Sequence, residues 1–184
     1  MRSLAKKFYF CFQFGFVLQQ ILCEGKYFET ASLQNVELDA IGVCGNFLEQ
    51  WVYESGTLES ISGHYKTGEP LPKNVIQKMG QLQKHMAGTK LCFDIYYSNL
   101  DLNLHTQMDK ATMEIVREMW PNYFLFKLDN EDMHPYMFNE SIVGPLTCCY
   151  YSVIWSRIVG IDAFKAFEEA GFDNHEKISK LGRR

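Results

Sequence analysis

The chain opens on an apolar run in which Phe8, Phe10, Phe12, Phe14, Phe16 and Leu18 occupy alternate positions. A period of two is the pattern of a strand. A stretch that is apolar on every side also fits a helix buried all round, so pattern alone leaves residues 8–22 ambiguous. Tyr27 to Asn35 reads as loop. From Asp39 to Ile61, Phe47, Leu48, Trp51, Val52, Leu58 and Ile61 recur at helical spacing and predict one helix or two. Thr67-Gly68-Glu69-Pro70-Leu71-Pro72 is a break. Lys73 to Met86 predicts a helix ended by Gly88, and Leu91 to His105 carries apolar residues on more than one face, which predicts a buried helix. Ala111 to Trp120 is a shorter amphipathic segment stopped by Pro121, followed by a long loop over 121–144. Pro145 to Ala170 predicts a long helix closed by Gly171, and Asn174 can cap a last helix through Leu181. The expected fold is mainly α, with Trp51, Trp120 and Trp155 in its core.

Composition narrows the class. The 184 residues are 47% hydrophobic and 15% aromatic, enough for one folded domain with a real core. The net charge is −4 with no Lys/Arg cluster, which sets nucleic-acid binding aside. Six cysteines form no C-x-x-C pair and have no His at zinc-finger spacing, so they read as buried reduced thiols. No two of the five His stand at i and i+4. Met1 to Lys7 is basic and Phe8 to Leu22 apolar, the pattern of a signal peptide. A small secreted or membrane-anchored protein is therefore one reading. Against it, Gln13, Gln19 and Gln20 interrupt the run, which is also short for a membrane span.

Several motifs then fall in order. His64-Tyr65-Lys66-Thr67-Gly68-Glu69-Pro70-Leu71-Pro72 resembles the H-Y-x-T-G-x-x-x-P segment of the thimet oligopeptidase / oligopeptidase A family of zinc metallopeptidases. Phe47-Leu48-Glu49-Gln50-Trp51 is similar to its F-M-E-N-W, and Asp101 to Thr106 to its D-x-x-L-H-T. Tyr150-Tyr151-Ser152-Val153-Ile154-Trp155 resembles Y-Y-S-Y-x-W, and Asp162-Ala163-Phe164 with Phe167 to Gly171 continues the likeness. The resemblance implies a mainly α chain, part of the zincin-like helical catalytic domain of a zinc oligopeptidase. It implies that 1–184 is a partial catalytic domain, lacking the family's N-terminal half and extreme C-terminus and so exposing apolar surface. The family's compartments, cytoplasm or mitochondrion, come with it, beside the signal-peptide reading of residues 1–22.

The family's chemistry lies in H-E-F-G-H, where two His at i and i+4 bind zinc and the Glu acts as general base. A third ligand, a Glu in D-x-V-E-x-P-S-Q, leaves one zinc position open for water. In this chain Phe12-Gln13-Phe14-Gly15-Phe16 falls at the first motif and Asp39 to Asn46 at the second, with Gly42 in the Glu position. The resemblance runs through both without a gap. It implies that Phe12, Phe16 and Gly42 replace the three metal ligands and Gln13 the base. Rings and a bare Cα give zinc no lone pair, and a neutral amide takes up no proton near pH 7. In the family's F-S-H-I-F-A-G-G-Y loop, a His and a Tyr contact substrate and the developing oxyanion. Here Glu140 stands at the His position and Leu146 at the Tyr, while Val153 replaces the last Tyr of Y-Y-S-Y.

The expectation is a non-catalytic homologue without zinc, binding short peptides or a protein partner that covers exposed apolar surface. Tyr150 and Tyr151 are its candidate peptide contacts, with core packing as the alternative role. An active zinc oligopeptidase lineage engaged in peptide degradation is the alternative function.

Overall fold

The computed structural model describes residues 2–27, 35–138 and 144–172, with 174, 176 and 179. Every regular element among the described residues is helical. The chain divides into two compact units, residues 1–85 with 155–184 and residues 86–154.

In the first unit α1 (Arg2–Ile21) settles the ambiguous run as helix. At 100° per residue the alternating Phe positions spread around the axis instead of lining one side. Phe12 and Phe16 are half-buried around the buried Gly15, whereas Phe10, Phe14, Val17 and Ile21 lie exposed on the opposite side. No described helix is long and apolar enough to cross a membrane. Most of the loop expected at 27–35 lies outside the described residues.

The predicted helical stretch 39–61 is cut into α2 (Leu38–Ile41), α3 (Val43–Gln50), a 3-10 turn Trp51–Tyr53 and α4 (Ser55–Ile61). Glu54 supplies the second cut. Its backbone is extended, and its carboxylate accepts the Gly56 and Thr57 N–H groups at the start of α4. Desolvation opposes its ionisation, but these hydrogen bonds outweigh it and hold the carboxyl below its ordinary value. The Gly/Pro-rich segment is the expected break. His64 N–H donates to Glu69 O at 2.8 Å, Gly68 N–H to His64 O at 2.8 Å, and Gly68 takes φ +73°. α5 (Lys73–Lys84) then buries Ile76 and Met79 against Val52 and Leu58. The Gly88 stop is corrected. Met86, at φ +56°, makes the corner, and Gly88 lies inside the next helix.

The second unit comprises α6 (Ala87–Thr106), α7 (Thr112–Met119), a 3-10 turn Trp120–Asn122 and α8 (His134–Met137). Its core is aromatic: Tyr96, Trp120 and Phe124 pack with Leu100, Ile115, Val116 and Met119. α6 is not buried all round as its sequence suggested, since Leu91, Ile95 and Leu102 are more than two-fifths exposed. The region expected as one loop over 121–144 holds the end of that turn and α8; residues 139–143 lie outside the described set. The last long helix, α9, runs Ser152–Ala170 and not from Pro145, because residues 145–151 are turns. Gly171, at φ +81°, closes it as expected. The helix expected from Asn174 lies largely outside the described residues. Trp120 is a core residue, but Trp155 is 54% exposed, against expectation.

Candidate functional site

In the first unit α1 meets α3 backbone to backbone. A Cβ at Gly15 would lie 2.5 Å from Cys44 O and 2.6 Å from Gly45 Cα, so only glycine permits this approach. Gly45 returns the constraint: a Cβ there would come within 2.8 Å of the Phe12 ring. Phe12 therefore lies over Gly45, and its ring meets Phe16 edge to face at a centroid distance of 5.0 Å. Gln13, between them in sequence, is exposed.

Gly42 is buried at the joint of α2 and α3. The nearest atoms to a Cβ there belong to Ser156 of α9, with Oγ at 2.6 Å, and to Asn46, with Nδ2 at 3.3 Å. Asn46 closes this corner by donating through Nδ2 to Gly42 O at 2.8 Å and to Ser156 Oγ at 3.2 Å. One turn on, a Cβ at Gly160 would lie 2.7 Å from Asn46 Cβ and 2.9 Å from Phe47 N. Two helices thus grip α3 through glycines. The structure brings Phe12 and Phe16 together at the start of α3 and sets Gly42 against Ser156 and Asn46. Burial raises the Cys44 thiol above its ordinary pKa, which keeps it protonated near neutrality. Among the described residues no three His, Cys, Asp or Glu side chains gather in a metal-binding group.

Sequence reasoning missed Ser156, Asn46, Gly45 and Gly160 as partners in this seam. The glycines at 42, just before α3, at 45 on it, and at 15 and 160 elsewhere were the available signal, but a glycine's role shows only once its neighbour is known.

The remaining expected site residues fall in the second unit, where Asp101 is the organising group. It is 1% exposed, and its two oxygens accept the Cys148 N–H and the Tyr150 N–H, each at 3.1 Å. His105 Nδ1 lies 2.7 Å from Asp101 O and 3.3 Å from Asp101 Oδ1. The carboxylate holds Cys148 in a left-handed conformation at φ +61° and fixes the turn that leads into α9. Tyr150 packs against Phe138 at 4.7 Å and Tyr97 at 6.2 Å, while Tyr151 is 41% exposed. Leu146 and Val153 are half-buried, and Glu140 lies outside the described residues. A second polar array joins Asp132 Oδ1 to His134 Nδ1 at 2.8 Å and His134 Nε2 to Tyr96 OH at 2.8 Å. Burial, then the neighbouring Tyr97 and Asp132, pushes the Tyr96 phenol well up, so it acts as a neutral hydroxyl satisfied within the core.

Comparison with known proteins places these features. Residues 8–184 match the model of peptidase family M3. A probable cytosolic oligopeptidase A of Arabidopsis thaliana is 32% identical over 176 residues, covering 94% of this chain and 25% of the relative. Oligopeptidase A of Escherichia coli is 29% identical over 168 residues, covering 89% of this chain and 25% of the relative. Human mitochondrial intermediate peptidase is 24% identical over 120 residues, 64% of this chain and 16% of the relative. The chain spans about a quarter of the length of the oligopeptidase A relatives it matches. With the motifs, the all-helical described residues and this match in agreement, the chain belongs to peptidase family M3.

Proposed function

We propose that this chain is a non-catalytic homologue of the family's zinc oligopeptidases, acting through binding. The observation that carries the reading is the composition of the α1–α3 seam. At the positions that resemble the family's ligand set stand Phe12, Phe16 and Gly42, and the residues around them do not fit a zinc ion. Zinc needs N, S or O donors at about 2.0–2.3 Å. The two rings offer none and occupy each other's edge and the surface of Gly45. Asn46 Nδ2 donates to both Gly42 O and Ser156 Oγ, so the polar atoms beside Gly42 already serve one another. The nearby Cys44 thiol is a single donor where zinc takes three or four protein ligands, and among the described residues no three His, Cys, Asp or Glu side chains gather. Gln13, at the base position, carries an amide that takes up no proton near neutrality.

What remains to bind with is apolar surface. On α1 the stripe Phe10, Phe14, Val17 and Ile21 lies exposed opposite the α3-facing side, and Phe10 and Phe14 stack with ring planes 6° apart. This surface supports a protein partner. The exposed ring of Tyr151 and the half-buried Tyr150 support a peptide contact in the second unit.

The test is cleavage of a quenched fluorescent peptide library by the purified protein, with added zinc and, in parallel, with a chelator. The expected result is no chelator-sensitive turnover in any arm. Turnover that zinc supports and the chelator abolishes would overturn the reading.

A further inference from the structure

A cavity of about 350 Å³ opens in the second unit beside the end of α7 and the strap that follows it. Its floor is the core itself: Trp120 and Phe124 line it while being 8% and 7% exposed. The strap is pinned in place, because the Trp120 indole N–H donates to Phe126 O at 2.7 Å. Leu125 and Phe126 also line the cavity, yet they face water, at 108% and 59% exposure. The volume suits a small organic ligand and equals that of roughly a dozen waters.

Two cations complete the lining, Arg117 from α7 and Lys127 from the strap. Neither has an ion-pair or hydrogen-bond partner among the described residues, whereas Lys110 and Lys165 are paired with Glu118 and Glu168. An apolar pocket bordered by two cations with no partner among the described residues is complementary to a carboxylate on an apolar body. The planar guanidinium presents paired N–H donors to such a group, and the low-dielectric aromatic wall strengthens the attraction.

We propose that this cavity is a binding site for small apolar carboxylic acids, with the carboxylate on Arg117 and Lys127 and the apolar body on Trp120 and Phe124. The inference does not depend on the state of the α1–α3 seam. Two sources offer this chemistry: the C-terminal residue of a peptide, and a free medium-chain fatty acid.

Titration calorimetry on the full chain separates them, with N-acetylphenylalanine, its uncharged amide and octanoate as probes. The expected result is saturable binding of at least one acid, with the amide weaker than N-acetylphenylalanine by roughly tenfold. Tighter binding of N-acetylphenylalanine than of octanoate assigns the site to peptide ends, and the reverse order assigns it to fatty acids. Arg117→Gln with Lys127→Gln should lower the affinity of the better acid by at least about tenfold. Both residues are exposed, so the variant keeps its helical circular dichroism and thermal midpoint. Saturable binding of N-acetylphenylalanine and its amide with equal affinity, unchanged affinity of the better acid in the double variant, or no saturable binding of either acid at millimolar concentration overturns the proposal.

Discussion

The two units solve the same problem, holding helices in contact, by opposite means. In the first, α1 and α9 close on α3 through glycines, and the contact is steric: Gly15, Gly45 and Gly160 each leave space that a neighbouring backbone or side chain occupies. In the second, the turn before α9 is held by a buried charge, with Asp101 accepting two backbone N–H groups beside His105. The steric seam carries the positions that resemble the family's metal ligands, and no charged side chain of the chain's own stands at them. The polar anchor belongs to a motif, Asp101 to Thr106, that resembles the family's D-x-x-L-H-T. A buried polar network persists as a satisfied whole, since losing one member strands the rest. The rings and glycines where α1 meets α3 require no such partners, and only the Gly42 corner adds a small one through Asn46 and Ser156.

The sharpest way to break the contrast is at Gly15. Gly15→Val should cost about 3 kcal/mol of stability in urea unfolding, because its side chain would enter the Cys44–Gly45 backbone. A cost below 1 kcal/mol would mean that the helices separate freely and that the seam is not steric. Next comes Asp101→Ala, which leaves two part-buried N–H groups without their acceptor and should cost about 2 kcal/mol. Proteolysis near residues 145–151 should quicken in that variant, since it loosens the turn locally.

A smaller effect is expected at Glu54. Glu54→Ala removes the cap of α4 and should cost about 1 kcal/mol. Because the folded carboxyl sits below its ordinary value of 4.5, its contribution is present above that pH. It is lost as the pH falls through the folded pKa, so wild type and variant should converge in acid. Smallest, and opposite in sign, is Gly80→Ala. Gly80 lies in α5 with open space where a Cβ would go, so the change should stabilise by roughly 0.5–1 kcal/mol. Thermal melts of the two glycine variants side by side separate a glycine that the packing needs from one that it does not.

The sequence and the structure part company in instructive places. The mainly α class, the break at Gly68 and the stop at Gly171 were legible because turn chemistry is local. The run over 8–22 stayed ambiguous by pattern, because a strict alternation reads as a strand while a stretch apolar on every side also fits a helix, the form that α1 takes. The Gly88 stop failed because Met86, a non-glycine residue, takes the left-handed conformation that glycine usually supplies. Pro145 was read as a helix start, but the Asp101 carboxylate draws residues 148–150 into a turn, a long-range hydrogen bond that no window of sequence contains. At the seam, the residue types at 12, 13, 16 and 42 were readable, and their chemistry follows from type alone. That Ser156 and Asn46 close around Gly42 was not readable, because Ser156 lies 110 positions beyond Asn46.

This closure also alters what repair requires. Phe12→His, Gln13→Glu, Phe16→His and Gly42→Glu together place a zinc donor set in the chain, but a Cβ at residue 42 would sit 2.6 Å from Ser156 Oγ. Adding Ser156→Ala should raise the zinc affinity of the fourfold variant, and zinc binding should return more readily than turnover. Equal affinity with and without Ser156→Ala would show that α9 yields at that corner.

Zinc content probes the loss of the metal site most directly. The purified protein is loaded with equimolar zinc at neutral pH, desalted and measured by inductively coupled plasma mass spectrometry, beside the fivefold repaired variant. The expected result is zinc far below one ion per chain in the natural sequence and close to one in the repaired variant. One ion per chain in the natural protein, removed by a chelator and reduced by substitutions at Phe12, Phe16 or Cys44, would contradict it.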